Sequence, residues 1–251
     1  MPTTQIAAGR AFIYVNNIGR ISRSGPGFRH PVGLARGQGD SLYVANWGDA
    51  SDPNARVTKC NLTTQEWIAD FGRPGTGDGE FLWPGGLIAD SQENLYITDQ
   101  SDNKVVIFDK DGTFLGKWGK SGPENGQLYG PSGLALDKDE NIFIVDTRNH
   151  RVEKFTKDGK FLSSFGCRGS GEGQFNMPWG IALDNAGNVY VADWGNSRVQ
   201  KLTATGKYLQ TFGTPGHDKG ELDHPSAVAV DKDGDVYVAD WGNHRVIIYE
   251  P

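Results

Sequence analysis

The chain has 251 residues, a formal net charge of −6 and an apolar fraction of 37%. Its 35 glycines and 12 prolines, with apolar residues in short alternating runs, indicate an all-β domain rather than a disordered chain. No apolar run is long enough to cross a membrane, and the N-terminal residues lack the pattern of a signal peptide. We therefore expect a soluble protein, cytoplasmic by default, and leave open a secreted protein whose signal has been removed.

Five copies of one sequence pattern follow one another along the chain, each anchored on a proline. The anchoring prolines are 53, 47, 47 and 47 residues apart, and they are Pro31, Pro84, Pro131, Pro178 and Pro225. A repeat of this length, when it is built from strands, predicts one sheet per repeat. The uniform repeat predicts a single domain over residues 1–251.

The fourth copy, residues 175–221, illustrates the predicted strands. Two short strands, 181–184 and 188–193, are joined by a tight turn, and strands 198–202 and 208–212 follow. Four antiparallel strands joined by tight turns form the blade of a β-propeller. The sequence therefore predicts an all-β propeller of four-stranded blades.

The fifth copy offers only three strands, and the N-terminal region can supply the fourth. Residues 9–31 align with residues 206–225 as a fourth strand and the connection that follows it. We therefore predict five blades, with the N-terminal strand closing the last one and removing its exposed edge. A fragment of a six-bladed propeller is the alternative.

The repeated pattern P-x-G-[LI]-A-x-D, N-[LIV]-Y-[VI]-x-D and N-x-[RK]-V, followed by a G-x-[FYL] strand, resembles the NHL repeat. In the third copy it is carried by Pro131, Gly133, Asp137, Asn141, Asp146, Asn149 and Arg151. The resemblance covers nearly the whole chain and implies a propeller. Members of that family include protein-binding and RNA-binding modules, extracellular sensor domains and a peptide-amidating lyase, so the fold leaves the function open.

The resemblance also bears on the lyase chemistry. In the amidating lyase, metal-binding histidines resemble a P-H-[GSD] motif directly after the proline. The residues at that place in this chain are Val32, Gly85, Ser132, Trp179 and Ser226. None of these residues is a histidine, which counts against the lyase chemistry.

The copies differ most at one end of each blade. Because antiparallel strands reverse direction, the residues that flank each proline share a face with the turn between the second and third strands. Aromatic and imidazole side chains on this face concentrate in copies four, five and one, which are neighbours in a closed ring. The predicted ligand-binding residues are His30, Trp83, Met177, Trp179, His224, Trp47, Trp194 and Trp241. The alternative for the turn residues Trp47, Trp194 and Trp241 is that they cap the apolar layer between blades.

Two further features belong to the same face. One cation opens the third strand of every copy, and we expect it to pair with the aspartate of its own blade rather than to bind an anion; these cations are Arg56, Lys104, Arg151, Arg198 and Arg245. The first copy has a longer loop, which makes residues 48–55 a candidate rim of a binding surface.

These features favour a non-catalytic, monomeric module that binds a protein partner or a small-molecule ligand. The alternative is a lyase or hydrolase that uses His30 and His224, with or without a metal. RNA binding is a third hypothesis, which the net charge disfavours. No cofactor or metal is predicted, because two histidines at equivalent places are fewer than the three protein ligands of a usual catalytic zinc.

Overall fold

The computed structural model describes residues 4–7, 10–13, 27–48 and 54–251. The chain divides into two compact units, residues 19–164 and residues 165–251 together with 1–18. At the N-terminus, strands β1 (Thr4–Ala7) and β2 (Arg10–Ile13) pair as an antiparallel hairpin.

The unit of residues 19–164 contains three antiparallel sheets of four strands, which we call blades one to three. Blade one consists of β3 (Pro31–Arg36), β4 (Ser41–Asn46), β5 (Arg56–Asn61) and β6 (Trp67–Phe71). Blade two consists of β7 (Pro84–Ala89), β8 (Leu95–Asp99), β9 (Lys104–Phe108) and β10 (Phe114–Trp118). Blade three consists of β11 (Pro131–Leu136), β12 (Ile142–Asp146), β13 (Arg151–Phe155) and β14 (Phe161–Phe165), the last of which reaches the unit boundary.

The second unit contains blades four and five. Blade four consists of β15 (Ile181–Leu183), β16 (Val189–Asp193), β17 (Arg198–Leu202) and β18 (Tyr208–Phe212). Blade five has three strands, β19 (Pro225–Val230), β20 (Val236–Asp240) and β21 (Arg245–Tyr249). One 3-10 turn joins the second and third strands in each of blades three, four and five, at Thr147–Asn149, Trp194–Asn196 and Trp241–Asn243. The predicted all-β fold with one sheet per copy is confirmed.

The described residues include only part of the strand that is predicted to close the last blade. Within the described residues, Arg10–Ile13 pairs with Thr4–Ala7, and no strand pairs with the outer edge of Arg245–Tyr249. A hairpin between neighbouring segments closes a far shorter loop than pairing with the end of the chain. The alignment also places Ala11 and Val15 where the fourth strand of every other blade has an aromatic residue. Residues 14–26, the remainder of the predicted strand and its connection, lie outside the described residues.

The core of each unit forms where blades pack face to face. The second strands β8, β12 and β16 are buried along their whole length, which fits sheets covered on both faces. A glycine-rich connection joins each blade to the next, and one parallel β-bridge links the two ends of each connection. Each connection ends near a fully buried apolar residue; these residues are Phe81, Leu128, Phe175 and Leu222. The glycine-rich stretches are therefore connections between blades, and a buried apolar side chain anchors each of them in the core.

Candidate functional site

A buried side chain, a carboxylate in four blades and the amide of Asn46 in blade one, fixes the backbone just before each anchoring proline. In blade three, Asp146 at the end of β12 accepts the Tyr129 amide at 2.6 Å, and the Arg148 amide donates to the Tyr129 carbonyl at 3.0 Å. The second–third turn and the pre-proline segment are thus bonded to each other within the blade, as the strand directions predict. The side chains that accept the corresponding amide in the other blades are those of Asn46, Asp99, Asp193 and Asp240.

The second oxygen of the same carboxylate binds the recurring cation. Arg151 Nε donates to Asp146 Oδ2 at 2.8 Å, and Arg151 Nη2 donates to the carbonyls of Glu124 and Gln127, each at 2.8 Å. Burial raises the pKa of Asp146, and the bonds from the Tyr129 amide and from Arg151 oppose that rise. Arg198 and Arg245 make the equivalent bonds, so the predicted pairing within the blade is confirmed for blades three, four and five.

The cations of the first two blades have related partners. Lys104 Nζ lies 2.6 Å from Asp102 Oδ2 and 4.0 Å from Asp99 Oδ2. In blade one, where Asn46 replaces the aspartate, Arg56 Nε lies 3.4 Å from Asp70 Oδ2. All five cations are therefore engaged within their own unit, which leaves little basis for an anion-binding ring.

The unit of residues 19–164 brings three of the predicted site residues together. The ring centroid of Trp47 lies 5.7 Å from that of His30 and 6.2 Å from that of Trp83. His30 is exposed, Trp47 is half-buried, and Trp83 is 48% exposed. Since Trp83 precedes the proline of the next blade, this cluster spans the ends of blades one and two.

A second cluster lies in the unit that contains blades four and five. The Trp194 ring centroid lies 6.5 Å from that of Trp179 and 4.3 Å from that of His224. His224 Nδ1 lies 2.5 Å from Asp223 Oδ1, and both side chains are partly exposed. With an ionised carboxylate as acceptor, Nδ1 carries the proton, and Nε2 of the neutral ring is an acceptor.

Met177 and Trp241 complete the predicted set. Met177 precedes Pro178 and adopts a left-handed backbone with φ of 50°, as His30 and His224 do with φ of 45° and 52°. Trp241 is 62% exposed, so it caps little apolar surface. Trp47 contacts the following blade through Trp83, which fits the capping alternative as well as a binding role. The binding role of the eight residues, and the proximity of His30 to His224 in a closed ring, stay predictions.

The sequence analysis missed Asp223. The only signal for it was local, because Asp223 directly precedes His224 whereas Arg29 precedes His30 at the equivalent place. The two histidines, equivalent by alignment, therefore differ in their electrostatic surroundings. Of the predicted rim, residues 49–53 lie outside the described residues.

The described residues offer no cluster of metal ligands. Within residues 27–48 and 54–251, no group of three or more His, Cys, Asp or Glu side chains is placed to hold a metal ion. Asp137 accepts the amides of Asp139 and Asn141, so the acidic segment DKDEN, residues 137–141, is a tight turn. No helix in the described part of the chain is long and apolar enough to cross a membrane.

Three of the proline-anchored copies match a known family model. A family model described as the NHL repeat matches residues 128–155, 175–202 and 222–249. These segments are NHL repeats. The predicted resemblance is therefore confirmed, and the three NHL repeats coincide with the proline-anchored copies that form blades three to five.

Two curated relatives share a stretch about one NHL repeat long. The Protein lin-41 of Caenorhabditis elegans is 46% identical over 50 residues, which are 20% of this chain and 4% of that protein. The RING finger protein nhl-1 of the same species is 47% identical over 47 residues, 19% of this chain and 5% of that protein. The matched stretches are thus a small share of either relative.

Solved structures resemble the chain over most of its length. A streptogramin B lyase covers 89% of this chain and 69% of its own, with a TM-score of 0.63 and 16% identity. A chain of the nidogen/laminin complex gives a TM-score of 0.66 at 16% identity, and the match covers 98% of this chain and 84% of that one. A catalytically inactive virginiamycin B lyase from Staphylococcus aureus with quinupristin gives a TM-score of 0.56 at 16% identity, and the match covers 88% of this chain and 84% of that one. At this identity the likeness shows the fold, and it confirms the predicted β-propeller.

Proposed function

We propose that the pre-proline ends of the blades bind a protein partner through the aromatic cluster that each unit carries. We call these blade ends the pre-proline surface of each unit; it comprises the residues flanking the anchoring prolines and the second–third turns of that unit. The observation that carries the proposal is Trp83, which is 48% exposed at the edge of the ring cluster with His30 and Trp47. A large aromatic side chain in a cluster of rings is typical of the anchor residues of protein interfaces.

The backbone beneath these side chains supports the same proposal. The amide of Trp83 donates to Asp99 Oδ1 at 3.1 Å, and its carbonyl accepts the Gln100 amide at 2.8 Å. A ring on a backbone fixed in this way loses little conformational entropy when a partner binds, which favours affinity. His30, Met177 and His224 in the left-handed region add backbone strain of a kind that concentrates at functional sites.

The test uses peptide ligands selected against the full chain from a displayed random library. Their dissociation constants are then measured for Trp83→Ala and Trp194→Ala, with Leu115→Ala as the control, because Leu115 is 53% exposed on the outer strand β10. Loss of an anchor worth about 2 kcal/mol weakens binding about 30-fold. Selected peptides that bind both tryptophan variants as tightly as the unchanged chain would refute the proposal. Selection of small aromatic ligands but no peptides would assign the surface to a small molecule instead.

A hydrolase or lyase is the second candidate, and the Asp223–His224 pair is the observation that favours it. A carboxylate that orients an imidazole beside a half-exposed aromatic wall is a general-base arrangement. Hydrolysis of activated ester and lactone probes tests this candidate, with His30→Ala as the matched control for His224→Ala. Activity that His224→Ala abolishes and His30→Ala leaves unchanged supports an enzyme; equal activity in all three proteins excludes His224 as the base.

A further inference from the structure

One arginine on the pre-proline surface of the unit of residues 19–164 packs on an aromatic ring. Arg148 lies in the second–third turn of blade three and is exposed. Its Cζ lies 5.1 Å from the centroid of the Tyr129 ring, which is itself 45% exposed, and at this distance a guanidinium is attracted to the ring. The ring offers no oxygen acceptor, so this contact leaves the N–H donors of the guanidinium for another group.

Blade three exchanges the sizes of two residues on this surface. In the other four blades a large side chain precedes the proline, and glycine or serine stands at the place of Arg148. In blade three glycine precedes the proline, and the arginine stands in the turn. The pairs, in chain order, are His30 with Gly48, Trp83 with Ser101, Gly130 with Arg148, Met177 with Gly195 and His224 with Gly242. A guanidinium therefore replaces the imidazole, indole or thioether group of the other blades.

The space around Gly130 shows the same exchange in three dimensions. Gly130 is buried, and a Cβ at this position would lie 3.1 Å from Arg148 Cγ and 3.2 Å from Arg148 Cδ. The stem of the arginine thus occupies the volume that a pre-proline side chain would enter. The backbone is fixed as well, because the Tyr129 amide donates to Asp146 and the Arg148 amide donates to the Tyr129 carbonyl at 3.0 Å. An arginine held in this way loses less conformational entropy when it binds a partner.

The adjoining blade end carries the exposed indole of Trp83. The second–third turn of blade two is bonded to both segments. The Gln100 amide donates to the Trp83 carbonyl at 2.8 Å, and Asn103 Oδ1 accepts the Gly130 amide at 2.7 Å. An aromatic anchor and a cation are therefore presented by neighbouring blades of the same unit.

We propose that Arg148 binds a carboxylate of the protein partner, so that this surface recognises a peptide segment with an acidic residue close to an aromatic one. The inference rests on the proposed function and names the chemistry of its partner. The acidic side chain pairs with Arg148, and the aromatic side chain packs against the cluster of Trp83, Trp47 and His30. The chain's net charge of −6 disfavours a polyanion such as RNA, which binds through several cations along its backbone.

The probes are fluorescein-labelled glycine–serine peptides that carry one tryptophan and one glutamate, at various spacings and in both orders. A matched set has glutamine in place of glutamate. Fluorescence anisotropy titrations with the full chain measure their dissociation constants. We expect at least one glutamate peptide to bind about tenfold more tightly than its glutamine counterpart. This difference should shrink as the NaCl concentration is raised, because salt screens an exposed charge pair.

The variants separate the cation from the aromatic anchor. Arg148→Gln should abolish the preference for glutamate. Lys138→Gln is the matched control and should leave the preference unchanged, because Lys138 is an exposed cation in the first–second turn, at the other end of blade three. Trp83→Ala should weaken the glutamate and glutamine peptides alike.

Equal binding of the two peptide sets, or a preference for glutamate that Arg148→Gln leaves intact, would overturn the proposal. Binding of the glutamine peptides that depends on Trp83 would still leave the proposed function standing, so the two failures are distinguishable. Failure of every glutamate peptide to bind would also overturn the proposal, while the peptides selected from the displayed library judge the proposed function separately. If oligouridylate bound in their place and Arg148→Gln abolished its binding, the arginine would serve a nucleic acid and the proposal would be wrong.

Discussion

Replacement of Glu153 by glutamine tests how blade three tolerates a wholly buried acid. Glu153 in β13 is 0% exposed; its Oε1 accepts the Gly126 amide at 3.0 Å, and its Oε2 has no hydrogen-bond partner among the described residues. In blade four the equivalent residue is Gln200, whose Nε2 donates to the Gln174 carbonyl at 2.7 Å. A protonated Glu153 can use Oε2 as the same kind of donor, and glutamine supplies that donor at every pH.

Burial raises the pKa of Glu153 to about 7 from an ordinary value of 4.5. The folded chain therefore holds a proton that the unfolded chain releases between pH 4.5 and 7, so the stability contributed by this group is complete below pH 4.5 and is lost as the pH rises. The pKa difference corresponds to a loss of about 3 kcal/mol in the free energy of unfolding by pH 7.

The assay is urea unfolding of the unchanged chain and of Glu153→Gln at several pH values from 4.5 to 8. The stability advantage of Glu153→Gln should grow by about 3 kcal/mol across this range. Glu172→Gln, a change at an exposed glutamate in a connection, is the control and should show no such trend. An advantage that does not change with pH, or a variant less stable than the unchanged chain at pH 7, would refute the reasoning.

Three further predictions concern the blades and the pre-proline surface. Asp193→Ala should lower the free energy of unfolding by about 3–5 kcal/mol, because it removes the carboxylate that pairs with the Arg198 guanidinium. Asp193→Asn should lower this free energy by less, and chemical denaturation of the two variants measures the difference. Gly112→Ala should lower the free energy of unfolding by about 2–4 kcal/mol, because φ at Gly112 is +87° and a Cβ there would lie 2.6 Å from the Phe71 ring. Gly116 has open space around it, so Gly116→Ala should leave the melting temperature unchanged or raised. His224→Gly should change the free energy of unfolding by less than about 1 kcal/mol, because glycine relieves the positive φ at this position and this gain offsets the lost contacts of the imidazole. The same change should abolish any activity that depends on His224. A variant that fails to fold would contradict the first expectation.

The strands could be predicted well from the sequence because their signals are local. The predicted strands 198–202 and 208–212 coincide with β17 and β18, since turn residues bound each alternating run. The buried aspartate–arginine pairs could also be predicted, because antiparallel pairing sets the two residues opposite each other, as Asp193 is opposite Arg198.

Other features depend on which surfaces meet, and no local pattern reveals that. Val199 and Val246 occupy the same place in the repeat, yet one is fully buried and the other is 66% exposed; among the described residues, a fourth strand pairs beside Val199 and none pairs beside Val246. His30 and His224 are likewise equivalent by alignment, but they follow different residues, Arg29 and Asp223, and His224 lies beside the carboxylate of Asp223. The strand predicted to close the last blade lies only partly within the described residues, where Arg10–Ile13 pairs with Thr4–Ala7.

The backbone bonds beneath the pre-proline surface also bear on how such a chain can change over time. In blade three Tyr129 is held through its amide and its carbonyl, and in blade four Asn176 is held in the same way by Asp193 and Gly195. Because main-chain atoms make these bonds, the side chains at these places can differ without a change in the support below them. Each blade can therefore acquire new recognition residues independently of its neighbours, and the surface can be altered one repeat at a time while the scaffold keeps its stability.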